Sequence, residues 1–540
     1  MCTLLDKKRK VKGYIIGVSS GMFGAAGREE QVSYIDISQK AFYSALKGVN
    51  FTMIDIERST EFISPEIEKR VKKLKEELGI EIGFHGLTGA MGARGIFLDS
   101  AIEDDYLRTH EALIRDLERS GKLGGRFYLQ HASETTPYGW LGKDLQPTAI
   151  VDIWGRRLNI FLEEHPDILD WLINQPEITE CFRVPTRKEM AERYKADPMI
   201  RHNLENIVIR EKGIPPEKIK ERWEEIEKEI DKKAEELAEK NVKKEIIEEI
   251  KKTTMAYGPE RIAYLVTAKW MSDNNDPIWQ GIVGKKFEEV KDNPRVWVPA
   301  VSAKYIWGHF NPKKLADPKP ILEKYDIYFV IETAMVSAGI EEEYRFVHPK
   351  HFVVLCKHSG TRYFKACIDF EHILGAGINP DEEIDSMEAD GGKYVNVLHV
   401  GWPTPLQPAH YPIPLGSEQQ EWLYRWMYKL RKKGFDESED RFIIFERAAP
   451  IGQLDPVLQS TLALRKIIKY LRLDVPPDKL PLDFYGIEEK DLKMQETQIR
   501  EHALDPIRGL LKIPEEKFSF LGRAAAAEGK GREWETEKYR

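Results

Sequence analysis

Several histidines and carboxylates in this chain stand directly at the ends of short, apolar, β-rich runs. EIGFH ends in His85 and RFYLQH in His131; IYFVIE ends in Glu332, and FKACID in Asp369 with His372 three residues on. YVNVLH ends in His399 and FIIFE in Glu446, and His410 lies in the Pro-rich stretch GWPTPLQPAHYPIPLG that follows. One histidine at a strand end is usually structural. A set is different, because carboxylates and imidazoles gathered at one place repel or lose solvation unless cations compensate them. Mixed nitrogen and oxygen donors suit divalent ions, zinc first and manganese second. The four cysteines (Cys2, Cys181, Cys356 and Cys367) lack C-x-x-C spacing, which excludes a zinc knuckle or a disulfide framework, and Cys367 reads as a core residue. No Ser or Cys triad is visible.

Something must bring those strand ends together. Apolar runs at Tyr14–Val18, Phe51–Ile56, Ile80–Phe84 and Arg126–Gln130 alternate with helical patterns such as Pro65–Leu78, where Ile67, Val71, Leu74 and Leu78 share a face. The rhythm stops and resumes at Ile327–Ile331, Tyr363–Ile368, Tyr394–Leu398 and Arg441–Phe445. Four runs before the break and four after it make the number that closes a (β/α)8 TIM barrel, an α/β fold whose active sites lie at the strands' C-terminal ends. The domain reading follows: 13–135 as the first half of the barrel, 136–325 as a large, mainly helical insertion, 326–515 as the second half, and 516–540 as a mobile tail. Leaving after the fourth strand, the insertion starts on the active-site face and is placed to act as a lid or interaction domain. Its centre, Pro215–Lys252, is dense in opposite charges at i,i+4 spacing. That pattern reads as a solvated helix or hairpin, with a dimerising coiled coil as the sharper option.

Composition narrows the setting. Charged residues make up 32% of the chain, dominated by Lys, Glu and Arg, which is the thermophile pattern of ion-pair networks. A formal charge of −8 gives no global attraction to nucleic acid, so any DNA contact would need a local basic patch. Neither a membrane-spanning run nor a signal-type apolar region is present, so a cytoplasmic protein is expected. The Gly-rich turns Ser19–Gly27 and Gly89–Gly95 lack the spacing of phosphate-binding fingerprints.

The segment CIDFEHILGAGINPDEEID, the histidine ending the next run, the histidine in the loop after it and the final Glu resemble the endonuclease IV and xylose isomerase-like superfamily. The match is closest to the endonuclease IV (AP endonuclease family 2) pattern and covers roughly residues 13–135 and 325–450. The resemblance implies a TIM barrel with three zinc ions that cleaves phosphodiester bonds at abasic sites in DNA. It implies one ion on His85 and His131, bridged by Glu332 to a second on Asp369, His399 and Glu446, with a third on His372 and His410. Two departures stand out. The pattern has an Asp two residues before the loop histidine, where this chain has Pro408, so the third site is short of a ligand and two or three ions are expected. The family's early histidine is missing from GVSSG at Gly17–Gly21. Arg58 and Arg94 could meet a substrate phosphate, although solvated surface arginines are the commoner case.

Three functions follow. In the first, a metal-dependent hydrolase acts on phosphate esters, including abasic or damaged DNA, with Glu332 and Glu446 as catalytic carboxylates and a two-metal site activating water. In the second, a sugar isomerase or epimerase uses one divalent ion, with Glu332 and Glu446 as acid and base and His372 on a small sugar or phosphorylated substrate. In the third, an inactive barrel serves as an interaction subunit that oligomerises through the insertion. The extra histidines His85, His131 and His410 point to the first.

Overall fold

The computed structural model describes residues 12–20, 37–38, 40–41, 48–56, 66–86, 95–135, 137–142, 145–252, 255–334, 345–404, 407–446 and 456–499. Arg58, Arg94 and the 516–540 tail lie outside the described residues, as does the side chain of His410.

Eight parallel strands close into a barrel. They are β1 (Tyr14–Ser19), β2 (Phe51–Asp55), β3 (Glu81–His85), β4 (Phe127–His131), β7 (Tyr328–Glu332), β8 (Phe364–Asp369), β9 (Val395–Val400) and β12 (Arg441–Phe445). Between them in the chain, β5 (Leu145–Pro147) pairs with β6 (Met255–Tyr257), and β10 (Trp402–Thr404) with β11 (Gln407–Tyr411), each as an antiparallel ribbon. The fold is therefore a TIM barrel with helical additions. Strands β4, β8, β9 and β12 are buried at every position, as parallel strands covered on both faces must be; this is why they read as unbroken apolar runs.

Side chains alternate across each strand, and the alternation positions the site. One set, including Ile54, Phe84, Tyr128, Phe329, Ile331 and Ala366, packs outward into the main core. The other set fills the barrel: Phe51, Met53, Phe127, Leu129, Val330, Cys367, Val397, Phe442 and Ile444. Gly17 and Gly83 complete this interior by leaving room for it. A Cβ on Gly83 would lie 2.5 Å from the Phe127 ring, and one on Gly17 would lie 2.7 Å from Phe51 and Ile444. Two residues beyond the interior positions Gly17, Met53, Gly83, Leu129, Val330, Cys367, Val397 and Ile444 stand Ser19, Asp55, His85, His131, Glu332, Asp369, His399 and Glu446. All eight strands thus deliver a polar residue to one layer, at the end where TIM barrels carry chemistry.

The segment between β4 and β7 is not packed as a separate shell. Its helix Pro294–Phe310 sends Phe310 against Phe329 of β7 and Phe364 of β8, with ring centroids 4.7 and 4.6 Å apart. This helix therefore belongs to the ring around the barrel. The charged helix is Trp223–Lys251, and it buries every fourth residue: Ile226, Ile230, Ala234, Ala238, Val242, Ile246 and Ile250. Spacing of four exceeds the 3.6-residue turn, so the buried stripe rotates by about 40° per step. Its first half closes a small core with Leu204, Val208 and Ile214, and its second half joins the main core. The apolar stripe of this helix is thus covered within the chain, where a solvated helix would leave it open. The stretch around Pro408, read as a loop, forms the β10–β11 ribbon; an isolated two-stranded ribbon has open edges on which Pro is tolerated.

Among the described residues, 414–424 and 462–499 form a second compact unit. Within it Tyr424 packs on Phe484, and the Asp483 carboxylate receives Lys466, Lys469 and Tyr470 at 2.6–2.7 Å. No helix among the described residues is long and apolar enough to cross a membrane.

Candidate metal centre

Glu332, fully buried at the end of β7, stands between two groups of ligands. Its Oε2 lies 3.3 Å from His85 Nε2 and 3.6 Å from His131 Nε2. Its Oε1 lies 2.5 Å from His399 Nδ1, which is in turn 3.5 Å from Asp369 Oδ2 and 3.2 Å from Glu446 Oε1. Donor atoms fall within 4.8 Å of one another in the sets His85–His131–Glu332, Asp369–His399–Glu446, Glu332–Asp369–His372 and Asp55–His85–Glu446. Strand register accounts for this, because His131 pairs with Glu332, Asp369 with His399, and Asp55 with His85.

The imidazoles are oriented from behind. His85 Nδ1 meets the Gly86 carbonyl at 3.0 Å, His131 Nδ1 the Glu134 carboxylate at 2.6 Å, and His372 Nδ1 the Thr333 carbonyl at 2.9 Å. With Nδ1 donating in each case, Nε2 keeps its lone pair for a ligand, the arrangement of metal-binding histidines. His399 is turned the other way, with Nδ1 on the carboxylates and Nε2 3.2 Å from Met53 Sδ. Asp369 Oδ1 caps the helix Phe370–Gly375 by accepting from the His372 N–H at 2.8 Å, which leaves Oδ2 for the cluster.

Burial works against every charge here, and the charges hold one another in place. Against that burial, the charges of the neighbouring imidazoles, His399 first and then His85 and His131, keep the Glu332 carboxyl well below the usual carboxylate range. Burial would lower the pKa of His85, but the adjacent Glu332 carboxylate outweighs it and lifts the imidazole to about 9. His399, despite its burial, is raised well above the ordinary value by Glu332 and Glu446. Without a cation, protons on imidazoles balance the carboxylates.

That balance is geometrically incomplete. Glu332 Oε2, Asp369 Oδ2 and His399 Nδ1 are fully buried with no hydrogen-bond partner among the described residues, although each has an opposite charge within 3.6 Å. A divalent ion would complete these unpartnered atoms, and the mixed nitrogen and oxygen donors fit one. Cys367, with Sγ 3.9 Å from Glu332 Oε1, is the floor of the site. Burial and the neighbouring carboxylates push its thiol well above the ordinary value, and its Sγ falls with Glu332 and His399 in a further set of close donor atoms.

The structure therefore brings together His85, His131, Glu332, Asp369, His372, His399 and Glu446. It adds three residues that the motif reading passed over: Asp55, Ser19 and Glu134. Asp55 Oδ2 accepts from Ser19 Oγ at 2.6 Å and from Ser20 Oγ at 3.3 Å. Its signal in FTMIDIER was phase alone, since Asp55 lies two residues after the interior Met53.

No protein-family model and no curated protein matches the chain. Among solved structures, a D-tagatose 3-epimerase-like protein aligns at TM-score 0.41 and 10% identity, over 86% of this chain and all of its own. A 3-keto-D-glucoside 4-epimerase from E. coli aligns at TM-score 0.36 and 10% identity, over 85% of this chain and 99% of its own. The AsfvAP:AG structure aligns at TM-score 0.33 and 9% identity, over 86% of this chain and 99% of its own.

Proposed function

We propose that this chain is a divalent-metal-dependent enzyme with two ions bridged by Glu332 at the barrel mouth, and that it hydrolyses phosphate esters. The observation that carries this reading is the division of one carboxylate. Oε2 of Glu332 faces His85 and His131, while Oε1 faces His399 and its partners Asp369 and Glu446. Charge supports the same count. Asp55, Glu332, Asp369 and Glu446 carry four negative charges in one layer, which two divalent cations balance and one does not.

A bound pair of ions supplies a nucleophile from water at neutral pH and neutralises charge on a leaving oxygen. The chain's own residues do the rest. Glu332 fixes the spacing of the two positions. Glu446, the most exposed of the buried ligands at 9%, sits where it can hold or pass a proton at the mouth. Nitrogen and oxygen donors suit zinc or manganese. Abasic or damaged DNA and small phosphorylated compounds are the substrate classes that this reading names.

A second reading has its own observation. Asp369, His399 and Glu446 bring donor atoms within 4.8 Å of one another, with Glu332 Oε1 2.5 Å from His399 Nδ1, a set that would serve one ion. Glu332 and Glu446 would then act as acid and base on a sugar carbon, with His372 on a hydroxyl. The chain would be a sugar isomerase or epimerase.

Metal analysis of the purified chain, combined with incision of a duplex carrying one abasic site, hydrolysis of an aryl phosphodiester and turnover of a panel of ketoses, separates the two. Two ions per chain with hydrolysis that Glu332→Gln abolishes is the expected result. One ion per chain with ketose turnover and no phosphodiester cleavage overturns the hydrolase in favour of the isomerase.

A further inference from the structure

We infer that Asp55 is a ligand of the ion that His85 carries, completing a symmetric pair of sites with four protein ligands each. The inference rests on the two-ion reading and extends it. The second ion has four donors in Glu332, Asp369, His399 and Glu446. The first has only His85, His131 and Glu332, one fewer than the second, and a five-coordinate ion takes a fourth protein ligand and still leaves a position for water. Asp55 supplies the difference. It lies on β2, next to β3 in the barrel and in register with His85. Its carboxylate falls with His85 and Glu446 in a set whose donor atoms are all within 4.8 Å. Ligand atoms around one ion, each about 2.1 Å from the metal, stand up to about 4.2 Å apart, which is close to that separation.

Asp55 is also held as ligating carboxylates are held. Ser19 Oγ donates to its Oδ2 at 2.6 Å, its N–H is 3.0 Å from Ser20 Oγ, and the buried Lys40 Nζ reaches its carbonyl at 2.8 Å. A hydroxyl donated to a carboxylate from behind fixes which oxygen faces the metal. Ser19 belongs to the same layer of the barrel as the ligands, so the ring closes without an apolar gap: Asp55, His85, His131, Glu332, Asp369, His399 and Glu446, with Ser19 between the last and the first. With Asp55 included, the pair of ions has six private ligands and one shared one.

The test is zinc titration of the metal-stripped full-length chain by calorimetry, with metal content measured after dialysis. The wild type should bind two ions. Asp55→Asn should keep one tight ion and bind the other at least tenfold more weakly, and His131→Asn should weaken that same ion. Ser19→Ala, which leaves the carboxylate in place, should weaken it by about tenfold, the scale of an outer-shell contact. If Asp55→Asn fails to fold, Ser19→Ala decides alone. Two ions at wild-type affinity in Asp55→Asn, or in Ser19→Ala where that variant decides, overturn the inference and leave the two-ion reading intact. A wild type that binds one ion overturns both.

Discussion

Two buried polar clusters, one at the strand ends and one built on the segments that follow them, are satisfied in different ways. In the first, Arg345 pairs through both terminal nitrogens with Glu260 at 2.8 and 2.7 Å, and Ala101 N–H adds a third donor at 2.7 Å. Beside it Asp99 accepts from Ser133 and Thr135 at 2.7 and 2.6 Å, and Tyr264 donates to the Asp99 carbonyl at 2.6 Å. The second cluster is the mouth, where Glu332 Oε2, Asp369 Oδ2 and His399 Nδ1 lack hydrogen bonds among the described residues. Donors match acceptors in the first, so it is complete within the chain. In the second, buried charged atoms are left without hydrogen bonds, and cations are the natural complement. A buried charge cluster is evidence of a ligand only when its geometry is unfinished.

The comparison can be broken most sharply at Glu332. Glu332→Gln removes the carboxylate shared by both ion positions, so turnover of whichever substrate proves active should fall on the order of a thousandfold or more. That exceeds the 10- to 100-fold typical of outer-shell losses. Retained metal and retained rate would show that the mouth needs no bridge.

Next in size is the complete cluster. Arg345→Met leaves Glu260 buried without its partner, which should cost about 3–5 kcal/mol in urea unfolding. Replacing both residues with apolar ones should recover most of that loss. Metal content in the surviving folded fraction should match the wild type, since this cluster owes nothing to cations.

A third kind of burial sharpens the contrast. His351 is half-buried, with its Nδ1 enclosed, beside another imidazole, His348. Burial first, and that neighbour second, push it down to about 3 from its ordinary 6.5. The folded state therefore disfavours the charged form. Stability is full above pH 6.5, and falls by about 1.4 kcal/mol per pH unit between 6.5 and about 3 from this group alone. His351→Gln should flatten that part of the pH–stability curve, and an unchanged slope would contradict the assignment.

The smallest effect is expected at Glu134, which meets His131 Nδ1 from behind. Glu134→Gln should weaken one ion about tenfold and leave the other, read by metal titration. Loss of both ions would mean that Glu134 holds more than one imidazole.

Much of this was readable in the chain. Strands covered on both faces have to be apolar throughout, so the eight runs stand out, and the polar residues that end them mark where burial stops. The helix Trp223–Lys251 was harder to read. Its Ile, Val and Ala residues recur every fourth position among charges, a drift that no fixed face of a helix shows. Asp55 was hidden for a different reason: in FTMIDIER it is one acid beside another, and only the interior position of Met53 marks the phase that turns it inward.

The linear order of residues by itself determined the barrel, its interruption after the fourth strand and the chemical character of its mouth, because period-two burial and polar strand ends are local patterns. Tertiary structure alone decided which oxygen of Glu332 faces which histidines, and that Asp55 and Ser19 close the ring. It also decided that Asp99, Glu260 and Arg345 satisfy one another while the mouth does not. Those outcomes depend on register between strands and on loops far apart in the chain, where a shift of one residue turns a ligand away from the site.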